Sequence, residues 1–146
     1  MKNLTLWLLL SSAYLLFSCN TGPQAIQYGS EGCHYCKMTI VDKIHGAELV
    51  SDKGKVFKFD AAECMVNFFE DEPHFAMSGA YTNYYEQPEE LLLVEEATFL
   101  ISPNLPSPMG AFLTAFRQRE VAEQVKAEKG GYLFSWEELK RELSKP

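Results

Sequence analysis

The chain is short of positive charge and short of histidine. Lysine and arginine number 13 against 20 aspartates and glutamates, with 3 histidines and a formal charge of −7. No basic cluster offsets that balance, which argues against nucleic acid and against charge-driven adhesion to anionic lipid. Also missing is an apolar run of the ~20 residues that a membrane-spanning helix needs. Leu4 to Phe17 covers only 14. There is one C-x-x-C pair and no second pair or H-x-x-x-H to complete it, so the four familiar ligands of a structural zinc site are not assembled. Nothing combines a nucleophile, a base and an oxyanion site, so the chain does not read as an enzyme.

What stands at the start is a leader. Met1-Lys2-Asn3 is positive, Leu4 to Phe17 apolar, and Ser18 small before Cys19. That is the shape of a secretory signal, residues 1–18. Leu16-Phe17-Ser18-Cys19 is similar to a bacterial lipobox, so Cys19 is the expected site of lipid attachment. Residues 19–32 then read as a tether, and export places the rest in an oxidising compartment. If Cys19 carries lipid, Cys33, Cys36 and Cys64 remain. Three thiols cannot all pair within the chain, so at least one is free, buried or a ligand.

The mature part suits one compact α+β unit. Met38 to Asp42 is β-branched and short and predicts a strand; Ala47 to Val50 and Lys55 to Phe59 predict two more. Asp60 and Glu63 form a capping-box pattern that opens a helix over 61–70, with Ala62, Met65, Val66 and Phe69 on one face. His74 to Glu96 reads as a strand or two between exposed loops. Ala97 to Ile101 predicts a strand, and Ser102 to Pro108 an extended, Pro-rich loop. Ala111 to Phe116 is apolar and leads into a helix over 118–129, closed by Gly130. Tyr132 to Phe134 predicts a strand, and Ser135 with Glu138 a second capping box opening a helix over 136–143.

The two boxes suggest a repeat, with halves about 33–73 and 74–146. Met38 lies 22 residues before Asp60 and Met109 lies 26 before Ser135. In that alignment the two methionines occupy equivalent places, and sulfurs from both halves could converge.

The chemistry concentrates in Cys33-His34-Tyr35-Cys36-Lys37-Met38. A redox dithiol of the thioredoxin kind needs its first cysteine at a helix N-terminus, whereas strand-like residues follow here. A Cys33–Cys36 disulfide would close a ring too small to constrain much of the unfolded chain. Thiolates and thioethers suit copper(I). Cys36 and Met38, two apart on a strand, would share a face. Met109, after Pro108 on the loop, owes nothing to core periodicity, and Cys33 and His34 are further candidate ligands. Cys64 and Met65 read as packing residues of the first helix, and His45 and His74 as solvated.

These features resemble the NosL family of accessory lipoproteins for nitrous oxide reductase assembly. The resemblance rests on the leader, Cys33 to Val41 as C-H-x-C-x-M, Gly54 to Cys64 with a cysteine four after Asp60, Pro108 to Phe116 as P-M-G, and Gly130 to Leu139. Lys37 stands where the family usually has Gly. The resemblance implies two related ββαβ-type halves packed together and a Cu(I) chaperone on the periplasmic face of the cell membrane or outer membrane. Implied partners are nitrous oxide reductase and the Nos ABC-type membrane assembly. It also implies ligand roles for Cys36, Met38 and Met109. The alternatives left by the residues themselves are an extracytoplasmic thiol–disulfide oxidoreductase and a structural lipoprotein with a Cys33–Cys36 disulfide.

Overall fold

The computed structural model describes residues 22–144; the leader and Cys19 lie outside the described residues. The elements run β1 (Ala47–Ser51), β2 (Val56–Phe59), α1 (Ala62–Asp71), β3 (Met77–Tyr84), β4 (Gln87–Leu93), β5 (Thr98–Ile101), β6 (Leu113–Phe116), α2 (Arg119–Lys129), β7 (Tyr132–Phe134) and α3 (Trp136–Leu143). A 3-10 turn at Val94–Glu96 separates β4 from β5.

The α+β class and the two ββαβ halves are both present. One sheet has the order β2-β1-β3-β4 and the other β6-β5-β7, and every pairing is antiparallel. Each unit is thus a hairpin, a crossing helix, and a third strand that returns to the free side of the hairpin's first strand. The expected division at 73/74 comes too early. β3 and β4 belong to the first sheet, and the chain changes sheets between Leu93 and Thr98. The glutamates of β4 are exposed and hide the hairpin; its inner side is carried by Tyr84 and Leu92, both buried.

The repeat is real but its register differs from the one the capping boxes suggest. Topology matches Phe59-Asp60, where β2 runs into α1, with Phe116-Arg117, where β6 runs into α2. Ser135 opens α3, which has no counterpart in the first unit. Met109 therefore sits on the β5–β6 connection, equivalent to the turn between β1 and β2, while Met38 precedes β1. The two methionines are not equivalent.

The two helix starts explain the mistake. Ser135 does form a reciprocal box: Glu138 N–H donates to Ser135 Oγ at 3.4 Å and Ser135 N–H donates to Glu138 Oε2 at 2.8 Å. At α1 the N-cap is Ala61, with no side-chain cap. Asp60 and Glu63 are instead buried. At α2 the amides of Arg117 and Gln118 donate to the Glu86 carboxylate on the β3–β4 turn, at 3.1 and 2.9 Å.

Met38 to Asp42 is not a strand. Thr39 makes a single bridge to Gly32, and the segment 29–40 folds back on itself through Gly29 N–H to Ile40 O, Ile40 N–H to Glu31 O and Cys33 N–H to Met38 O. Ala111 to Phe116 resolves into the end of the Pro-rich loop and the strand β6. The two units share one core, in which Phe59, Met65 and Ala80 of the first meet Phe99, Leu113 and Leu139 of the second. Trp136 at the start of α3 packs against both Phe69 and Phe99. A smaller core of Leu100, Phe116 and Ala122 lies under α2. At the join, Tyr85 N–H donates to Ala115 O at 2.9 Å. The His45 ring bridges Asp42 (2.9 Å) and Thr114 of β6 (3.1 Å). His45 is accordingly buried rather than solvated, and His74 is exposed.

Candidate metal centre

The site forms where the folded-back segment 29–40 meets the first turn of α1. A turn over 34–36, closed by Lys37 N–H donating to Cys33 O at 3.1 Å, sets Cys33 and Cys36 at its two ends. His34 N–H donates to Lys58 O on β2 at 2.7 Å and docks the turn on the sheet. The left-handed backbone of Lys37, φ 66°, then redirects the chain toward Met38. Cys64 enters from the other side as the third residue of α1. Cys33, Cys36 and Cys64 are all free thiols, and their sulfurs lie within 4.8 Å of one another. Cys33 and Cys64 are buried and Cys36 is half-exposed, so the cluster opens to solvent on one side only.

The three thiols are not chemically alike. Cys33 is pulled down to about 4, chiefly by the hydrogen bond from Cys64, with burial opposing and the amides of Asp60, Cys36 and Tyr35 assisting. The thiolate at the Asp60 amide stands, at the start of α1, where the Glu86 carboxylate stands at the start of α2. Both anions meet the positive end of a helix. Cys64 is pushed up because it donates that bond from a buried position beside a negative sulfur. Burial likewise pushes Cys36 up, against the amide of Met38. One negative charge is thus already on the cluster, and two protons remain for a cation to displace.

The sequence matches the NosL family over residues 24–144. The chain belongs to the NosL family. The fold agrees with that of a solved NosL copper chaperone from Shewanella denitrificans, at a TM-score of 0.71 and 22% identity over 82% of this chain and 96% of that one. No curated protein is similar enough in sequence to match.

In this NosL-family chain the residues singled out from sequence fare differently. Cys33 and Cys36 come together as expected, but the third member of the cluster is Cys64, which sequence reasoning assigned to packing. Two signals pointed to it: the odd thiol count, and its place in the first turn of the helix after Asp60. Met38 is 48% exposed; its carbonyl accepts from the amide of Cys33 at 2.7 Å, and its own amide reaches Cys36. The strand argument that placed it on one face with Cys36 fails because Lys37 turns the chain between them. Met109 is half-buried against the shared core, on the far connection. His34 is not part of the thiol group. Its ring sits edge-on to Phe57, Phe59 and Phe68 at 4.7, 6.2 and 5.6 Å. Burial there, then Lys37 and Lys55, hold its pKa down, so the ring is a neutral packing element of the turn.

Proposed function

We propose that this protein is an extracytoplasmic Cu(I) carrier, anchored by lipid at Cys19, that delivers copper for the assembly of nitrous oxide reductase. The observation that carries the reading is the convergence of three thiols from two separate segments, with only Cys36 reachable. Three sulfurs around a half-open position suit Cu(I), which accepts two or three soft donors. One donor is pre-ionised and the others are neutral until the cation arrives. The thioethers of Met38, which is exposed, and Met109 are proposed as auxiliary donors. A partner's sulfur could then replace the ligands one at a time from the Cys36 side. The Nos ABC-type membrane assembly is the proposed docking partner, and the lipid at Cys19, a few residues before the chain is fixed to the first sheet at Gln24, restricts the search for it to the periplasmic face of one membrane.

Chain from Asn20 onward should bind one Cu(I) in an anaerobic chelator competition. Removing a direct donor should cost more than the roughly 10- to 100-fold that outer-shell partners of metal sites typically cost. Cys36→Ala and Cys64→Ala are therefore both expected to lose at least that much affinity. Unchanged binding in both would overturn the assignment.

The oxidoreductase alternative has one observation on its side, the low pKa of Cys33. That thiolate is buried, however, and the reachable cysteine of the pair is the one held protonated. A dithiol catalyst needs the reverse, an exposed thiolate that attacks.

A further inference from the structure

The β5–β6 connection that carries Met109 is pinned to α1 by a single carboxylate, Glu63. Ser107 Oγ donates to Glu63 Oε1 and itself accepts Leu113 N–H at 3.2 Å. The amide of Ala111 also reaches the same carboxylate. Ser107 lies two residues before Met109 and Ala111 two after it, so the carboxylate bonds the first arm of the loop and faces the second. Glu63 is 4% exposed and its Oε2 has no hydrogen-bond partner. Gly110, between the arms, takes φ 78° freely, whereas Phe112, just past the second arm, is held in costly backbone at φ 57°. A bulky residue in the left-handed region persists only where its surroundings fix it. Glu63 immediately precedes Cys64, in the same first turn of α1. The pattern that reads in sequence as half a capping box is used to join two distant parts of the chain.

We infer that Glu63 is the positioning residue of the site: it latches the Met109 loop to the turn of α1 that presents Cys64, and so sets the thioether beside the thiols. The inference rests on the proposal that Met109 is a donor. Its geometry needs only an acceptor at Oε1. Gln at 63 keeps such an oxygen, and Leu removes it while filling similar volume.

The test uses selenomethionine-labelled protein from Asn20 onward, carrying Met38→Leu and loaded with one Cu(I), read by X-ray absorption for copper–selenium scattering. Met109→Leu should abolish that scattering. Glu63→Leu should abolish it as well, with one Cu(I) still bound by the thiols and affinity down by roughly 10- to 100-fold, as for other outer-shell partners. Glu63→Gln should retain the scattering. Ser107→Ala, which cuts one arm and leaves the core intact, should weaken it and serves if Glu63→Leu does not fold. Scattering that survives in Glu63→Leu, or is undiminished in Ser107→Ala in its place, but is lost in Met109→Leu overturns the latch alone. Scattering that survives in Met109→Leu, or is absent before either change, overturns the thioether donor and the latch with it.

Discussion

Cys33 and Cys36 share one tight turn, yet the buried thiol is the ionised one and the half-exposed thiol is protonated. The hydrogen bond from Cys64 and the amide at the start of α1 outweigh burial at Cys33, while at Cys36 burial and the neighbouring Cys33 sulfur outweigh the amide of Met38 and the bond from Cys64. Iodoacetamide should therefore modify Cys36 first, at a rate still climbing above pH ~8.5, the value of an unperturbed thiol. Peptide mass spectrometry across pH 6–10 would show it, and a fast, pH-independent adduct at Cys33 would favour redox chemistry instead. Lys37 bears on the same turn. Its left-handed φ costs a non-glycine residue about 1–2 kcal/mol, partly recovered because its ammonium donates to His34 O. Lys37→Gly removes the strain but loosens the unfolded chain, an offset of about 0.4–1 kcal/mol. The net expectation is a stability gain under ~1 kcal/mol by urea denaturation, with Cu(I) affinity unchanged; a loss would mean that the ammonium contact outweighs the strain.

At the scale of elements, short apolar runs, helical periodicity and cap signals located β1, β2, β5, β7 and all three helices, because local composition and packing agree there. They failed where the tertiary context used a residue for something else. Asp60 and Glu63 have the spacing of a capping box, but the first contributes its amide to Cys33 and the second its carboxylate to Ser107. Met38 to Asp42 has strand composition, but Lys37 and the backbone bonds of segment 29–40 fold it into a loop. Cys64 was legible as an odd thiol and not as a ligand, because its partners lie about thirty residues upstream. The contrast between the two apparent boxes can be measured. Ser135→Ala should cost about 1 kcal/mol, the usual loss for an N-cap, and Asp60→Asn should leave the helix content of α1 intact by circular dichroism, since Ala61 and not Asp60 is its N-cap.

For the whole molecule, buried acids set an unusual pH response: burial raises Asp60 and Glu63, and Glu48 as well. Glu48 on β1 is fully buried, where it accepts Gln24 N–H at 2.6 Å. Burial, against that bond and Lys58, pushes it up to about 7. The folded state thus holds a proton that the unfolded chain releases near 4.5. Its contribution is complete below about pH 4.5 and is lost as pH rises through about 7, a change of roughly 3 kcal/mol at most. Glu48→Gln should flatten that decline when urea midpoints are compared between pH 5 and 8. A parallel decline in the variant would place its origin elsewhere.

The contact between Glu48 and Gln24 belongs to a larger attachment. Lys58 Nζ donates to Ala25 O at 2.8 Å and pairs with Glu31 at 2.7 Å, and Ile26 is buried in the shared core. The chain is therefore clamped to the first sheet some seven residues before it reaches Cys33. A cable gripped short of its plug does not pass tension to the contacts. In the lipid-anchored carrier proposed above, any pull from upstream would be borne by Gln24, Ala25 and Ile26, and the geometry of the thiols would be insulated from it.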